Sequence, residues 1–205
     1  MRHKNGKKTA SVFGMLLLTV ILIGLYQRGR LHGDSGDGSQ VTDGQTVYSF
    51  AMGTSVSVSL YDAPGGEEEK LAQAVKNLDE QEISWRQEGS ALYRLNHSYT
   101  AGQETVISDT LYVALTQAYN ICRDSEGALD ITIRPLANLW NIESATAEDF
   151  VIPDKSQITT ELAKTGYESV AIGEDKNVTL AKPGMILDLG AVGKGFARDV
   201  VQQIL

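Results

Sequence analysis

A chain of 205 residues with 42% apolar and 21% charged side chains is ordinary for a globular protein able to bury a core. Arg2, Lys4, Lys7, Lys8, Arg28 and Arg30 stand in the first 30 residues with no acid, so the net charge of −8 leaves −14 on the remainder (−8 less +6), an acidic body that argues against nucleic acid as a partner. The single cysteine, Cys122, excludes a disulfide scaffold and a Cys-x-x-Cys zinc or redox site.

Residues 1–9 form a basic N-terminal region, and no charge occurs from Thr9 to Gln27. As a helix, Ala10–Tyr26 would span roughly 25 Å at ~1.5 Å per residue, close to the hydrocarbon thickness of a bilayer. No small-x-small cleavage site follows Tyr26; Gln27-Arg28-Gly29-Arg30 comes instead. Residues 10–26 are therefore expected to be an uncleaved membrane anchor, in preference to a removed signal peptide, with the basic end in the cytoplasm and the body outside. Residues 27–45, rich in Gly, Ser and Asp from Gly33 to Gly44, read as a flexible tether.

The folded part is expected over residues 46–205. Ser55–Leu60 alternates as a half-buried strand does, and Asp62-Ala63-Pro64-Gly65-Gly66 ends it. Residues 67–83 predict a helix with Leu71, Ala74, Val75 and Leu78 on one face and Glu67, Glu68 and Glu69 in the first turn. Ser108 caps a second helix bearing Leu111, Ala114, Leu115, Ala118 and Cys122, where the cysteine is a buried small hydrophobe, and Gly127 stops it. Asn138-Leu139-Trp140, beyond Pro135, is a loop or short helix. Ser169–Ile172 and Asn177–Leu180 form a hairpin around Glu174-Asp175-Lys176, and Met185–Leu189 is a further strand. Without a regular βαβ rhythm the class is α+β, with mixed or antiparallel sheets flanked by helices.

Chemistry concentrates at Ile186–Asp199. An apolar run reaches Asp188, breaks into Gly190, Gly193 and Gly195 around Lys194, and resumes at helical spacing through Phe196, Val200 and Ile204. Strand, tight loop and helix in that order suit a phosphate, because backbone N–H groups and the helix start both favour an anion. It is no P-loop: Asp188 precedes Gly193-Lys194 where a glycine is needed, and Gly195 follows where Ser or Thr is needed. The G-x-x-G-x-G spacing is not the dinucleotide fingerprint either.

Three more stretches accompany it: Ala51-Met52-Gly53-Thr54; Ser84-Trp85-Arg86 leading to Ser90–Asn96; and Gly127-Ala128-Leu129-Asp130-Ile131-Thr132-Ile133-Arg134-Pro135-Leu136-Ala137-Asn138-Leu139-Trp140. In this order and spacing, over about residues 46 to 205, the chain resembles the FAD:protein FMN transferases, the ApbE-type flavin transferases once catalogued as thiamine-biosynthesis lipoproteins. The resemblance implies the flavin-transferase fold and a Mg²⁺-dependent enzyme that cleaves FAD, attaches FMN by a phosphoester to a Thr or Ser of an acceptor flavoprotein subunit, and releases AMP. It also implies a membrane-tethered, extracytoplasmic place of work, in agreement with the anchor.

Carried over residue by residue, Met52 contacts FAD, and Trp85, where the family usually has a tyrosine, stacks on one of its rings. Ala128, Leu129 and Asp130 line the cofactor site, with Asp130 a hydrogen-bond acceptor or else a turn residue. Asp188 holds a polar edge of FAD, Ala191 offers its backbone carbonyl to Mg²⁺, and Lys194 reaches the phosphates. Asp199 matches the pattern one turn further along. No catalytic base is identifiable, since His3 and His32 lie outside the folded part and His97 falls in a loop. Family members continue past this helix into segments holding the remaining Mg²⁺ ligands, so the resemblance reads the chain as C-terminally truncated. FAD pyrophosphatase and a non-catalytic, membrane-tethered flavin binder are the alternatives.

Overall fold

The structure is a computed structural model, and it describes residues 44–61, 64–148 and 150–205. The expected anchor over 10–26 and almost all of the tether over 27–45 lie outside the described residues. Among those described, no helix is long and apolar enough to cross a membrane.

Strands β1 (Gln45–Ala51) and β2 (Thr54–Leu60) pair antiparallel, with Ala51 opposite Thr54. The two residues between them, Met52 and Gly53, both have positive φ, 54° and 69°. Such a pair matches the twist of the strands it joins, but its first position ordinarily falls to Asn, Asp or Gly. Met52 is secured there by its own N–H, which donates to Asp79 Oδ2 at 2.6 Å. It turns the hairpin tip, and β2 starts at Thr54.

Helix α1 (Glu67–Leu78) packs on this hairpin through Leu71, Ala72, Val75 and Leu78. It then loosens into a π-helical turn over Asp79–Ile83, closed by Ser84 N–H donating to Asp79 O at 3.1 Å. Single π turns recur at functional sites. Here the turn carries Asp79 at one end and delivers Ser84 and Trp85 at the other. Helix α2 (Ala91–Ser98) begins at Ser90, whose Oγ accepts from Tyr93 N–H at 2.9 Å and donates to Ser84 O. The cap therefore ties the helix to the segment before it.

Helix α3 (Asp109–Asp124) starts at the expected cap: Ser108 Oγ accepts from Leu111 N–H at 3.2 Å. It buries the expected row of Leu111, Ala114, Leu115, Ala118 and Cys122. Gly127, at φ 81°, ends it by donating to Cys122 O at 2.8 Å. Burial pushes the Cys122 thiol up from its ordinary pKa, which keeps it protonated and inert. Pro135 sits in the first turn of the short α4 (Arg134–Leu139), and α5 (Lys155–Leu162) opens on a capping box of Asp154 and Gln157. The hairpin expected near 169–180 is present as β4 (Val170–Ile172) and β5 (Asn177–Leu180), and β3 (Glu104–Val106) extends it to a three-stranded antiparallel sheet in the order β3-β5-β4. The mixed α/β content agrees with the expected class.

Met185–Leu189 is a correction. Its burial alternates as a strand's would, with Met185, Leu187 and Leu189 inside, but it joins no ladder. The side chain of Asn96 takes the place of a neighbouring strand: Oδ1 accepts from Leu187 N–H at 2.8 Å and Nδ2 donates to Leu187 O at 2.9 Å. Asp188 N–H donates to Ile131 O at 2.8 Å. Buried backbone groups need partners, and here an amide side chain and a loop carbonyl supply them. Helix α6 (Gly193–Ile204) follows, so Gly193, Lys194 and Gly195 form its first turn and not a loop before it.

Candidate active site

The hairpin tip, the π turn, the segment after α3, the Asp188 segment and the start of α6 meet around a cleft of about 360 Å³. That size is within the usual range for small-molecule sites. Met52, Trp85, Leu129, Asp130, Asp188, Ala191 and Lys194 all line it. Ala128 does not: it is exposed and stands outside the lining. Asp199 pairs with Arg198 at 3.3 Å and lines a second cavity across the Ala191–Gly193 segment.

Each expected carboxylate is already engaged. Asp130 Oδ1 accepts from Thr132 N–H at 2.8 Å and from Thr132 Oγ1 at 2.6 Å, the turn role that stood as its alternative. Thr132 Oγ1 accepts in turn from Gly166 N–H at 2.7 Å. Asp188 Oδ1 accepts from Gly190 N–H at 2.7 Å, and its Oδ2 accepts from Arg134 Nη1 at 3.3 Å. A Cβ on Gly190 would stand 3.0 Å from Asp188 Oδ1, so a larger residue here obliges that carboxylate to give by a few tenths of an ångström. We expect Gly190→Ala to displace the Asp188 carboxylate from its bond to residue 190 N–H and to lower the Tm by a few degrees, at about 2–4 °C per ~1 kcal/mol, which thermal unfolding measures.

Three charged groups at the cleft are given no role by the sequence motifs: Asp79 and Glu143, which line it, and Arg134, which stands behind the lining against Trp85, Glu143 and Asp188. Arg134 precedes Pro135 within an otherwise apolar run, and a charge so placed signals a buried ion; Asp79 and Glu143 carry no comparable sign. Glu143 Oε1 accepts from both Arg134 Nη1 at 2.6 Å and Arg86 Nη2 at 2.5 Å. Both guanidiniums lie near the Trp85 ring, Arg134 Cζ at 3.2 Å and Arg86 Cζ at 4.1 Å from its centroid. Trp85 thus meets the cleft with a guanidinium already against it, where the sequence alone suggests only a ligand.

Burial alone would raise the Glu143 carboxyl, but the hydrogen bond and charge of Arg134, then those of Arg86, hold it below its ordinary value of 4.5. A depressed carboxyl contributes stability that is complete above its unfolded pKa and is lost as pH falls through the folded value. Thermal unfolding followed from about pH 6 down to about pH 3 is expected to show this acid loss, and Glu143→Gln to remove that component.

Lys194 differs from the arginines. Arg86 is paired with Glu143, and Arg134 with Glu143 and Asp188. Lys194 is exposed in the first turn of α6 and makes no ion pair among the described residues. The cleft's unneutralised cation therefore coincides with a helix start, and the two together favour an anion.

The Mg²⁺ that the resemblance implies does not find a sufficient shell. Among the described residues no group of three or more His, Cys, Asp or Glu side chains is arranged to hold a metal ion. Asp79, Asp130 and Asp188 each already accept from a backbone N–H. Mg²⁺ demands a near-octahedral set of oxygens, and one carbonyl at Ala191 does not provide it.

The profile of the ApbE family matches residues 52–205. The FAD:protein FMN transferase of Salmonella typhimurium is 33% identical over 173 residues, covering 82% of this chain and 47% of the relative. The crystal structure of the ApbE protein from Thermotoga maritima superimposes with a TM-score of 0.69 at 25% identity, over 79% of this chain and 52% of that one. The flavin transferase ApbE from Vibrio cholerae gives 0.65 at 26%, over 80% and 54%. The chain spans about half the length of the curated relatives it matches. The profile match starts at Met52, the first residue of the cleft, and takes in all the others: the chain belongs to the ApbE family.

Proposed function

We propose that the cleft takes FAD and serves transfer of its FMN half to a Thr or Ser hydroxyl of an acceptor flavoprotein. The acceptor oxygen bonds to the FMN phosphorus, the bond from that phosphorus to the bridging oxygen breaks, AMP departs with that oxygen, and the hydroxyl proton passes to the medium. The observation that carries the reading is Lys194, the cleft cation left without an ion pair among the described residues, at the start of α6. Phosphoryl transfer depends chiefly on positioning and charge neutralisation, and a lysine with helix amides supplies both.

Met52 and Leu129 give the cleft apolar surface for a flavin or adenine ring, and Trp85 gives an aromatic one. Asp130 and Asp188, held by their own hydrogen bonds, present fixed acceptor edges. Mg²⁺ dependence is part of the proposal, but no step is derived through the ion. The uncharged run over 10–26 supports a membrane anchor with the domain on the extracytoplasmic side, where acceptor subunits of electron-transfer systems would be met.

The test is mass spectrometry of an acceptor subunit after incubation with the full chain, FAD and Mg²⁺. A covalent FMN adduct with equimolar AMP is the expected product. Free FMN and AMP without adduct would mean that water takes the place of the acceptor. Intact bound FAD would mean a flavin binder.

A further inference from the structure

Arg134 belongs to none of the positions that the family resemblance assigns to the cofactor, yet it joins the cleft's parts. Its side chain is only 7% exposed. The guanidinium faces the Trp85 ring, Nε donates to Asn138 Oδ1 at 2.8 Å, and Nη1 donates to Glu143 Oε1 at 2.6 Å and Asp188 Oδ2 at 3.3 Å. One planar fork thus meets an aromatic ring, two carboxylates and an amide.

Charge gives this arrangement a role beyond packing. Asp188 and Lys194 line the same cleft, on either side of Gly190 and Ala191. An uncompensated Asp188 carboxylate would repel an entering pyrophosphate and compete with it for the lysine. Arg134 occupies Asp188 Oδ2, and Lys194 is left without a carboxylate partner among the described residues. The rigid contact of Arg134 with Trp85 fixes the ring that borders the same space.

We propose that Arg134 is a positioning residue for FAD: it neutralises Asp188 so that the pyrophosphate can approach Lys194, and it sets the plane of Trp85. The proposal rests on the flavin-transfer reading of the cleft. It is tested by titrating FAD into the full chain and into Arg134→Met, Asp188→Asn and the double variant, with thermal unfolding measured alongside. Arg134→Met is expected to weaken FAD binding by about 30-fold or more, the usual scale for stranding one member of a buried charge pair. In the double variant, neutralising Asp188 is expected to restore about fivefold or more of that loss. A merely structural arginine predicts that binding and thermal stability fall and recover in parallel across the cycle, whereas a positioning role predicts loss and recovery of FAD binding beyond what the change in unfolding accounts for. If Arg134→Met does not fold, Arg134→Gln, which keeps a donor toward Asp188, replaces it in the cycle. An unaltered chain that does not bind FAD removes the flavin-transfer reading and this proposal together. Binding untouched by the arginine substitution, or no recovery in the double variant, overturns the proposal and leaves that reading standing.

Discussion

Lys194→Met is expected to slow FMN transfer by about 10²- to 10³-fold, the scale on which losing one charge-stabilising group acts in a preorganised site. The substitution keeps the length of the side chain and removes only the charge. Because Lys194 is exposed and makes no ion pair among the described residues, stability is expected to move by no more than about 0.5 kcal/mol. The pairing of large kinetic loss with unchanged unfolding is the signature to look for. Arg86→Met provides the contrast: its charge is already matched by Glu143, so its effect on transfer is expected to be much smaller. Equal losses at the two positions would contradict the assignment of the phosphates to Lys194.

Asn96→Ala is expected to destabilise the fold far more than Lys194→Met or Glu143→Gln. The substitution strands Leu187 N–H and Leu187 O, both in a buried segment, and each orphaned group costs about 1–3 kcal/mol. For a domain of this size, where a loss of about 1 kcal/mol shifts Tm by about 2–4 °C, the expected fall is roughly 10 °C. Asn96→Asp tests the geometry further. A carboxylate still accepts from Leu187 N–H but repels Leu187 O, so it too is expected to destabilise. FAD affinity is expected to fall with either change, because the Asn96 amide holds the residue next to Asp188. A change in Tm of less than about 2 °C in Asn96→Ala would show that this segment is held by other means.

The parts of the fold readable from sequence are those with a local cause. Ser108 and Gly127 bracket α3, and the apolar row between them has one period; these signals all lie within or beside a helix of 16 residues. β1 escapes such a reading because its outer face bears Tyr48 and Phe50, 77% and 67% exposed, which hides the alternation of Val47, Ser49 and Ala51. The strand expected at Met185–Leu189 fails for a different reason. Its alternation is real, but its partner is a side chain 91 residues away, and no pattern within the segment announces that.

The site divides along the same line. Met52, Trp85, Leu129, Asp130, Asp188, Ala191 and Lys194 sit in short motifs with characteristic spacing, and the fold brings them to one cleft. The network behind them is illegible in the sequence because it depends on tertiary placement. Asp79 becomes an acceptor for Met52 N–H through a π turn, which has no sequence signature. Glu143 matters only because Arg134, nine residues before it, and Arg86, 57 residues before it, converge on it.

The most direct test of the central claim is a crystal structure of the full chain soaked with FAD. The pyrophosphate is expected within hydrogen-bond reach of Lys194 Nζ and the first amides of α6, with a ring of the dinucleotide bordered by Met52 and Trp85. FAD seated in the second cavity beside Asp199, or with its phosphates away from Lys194, would contradict that claim.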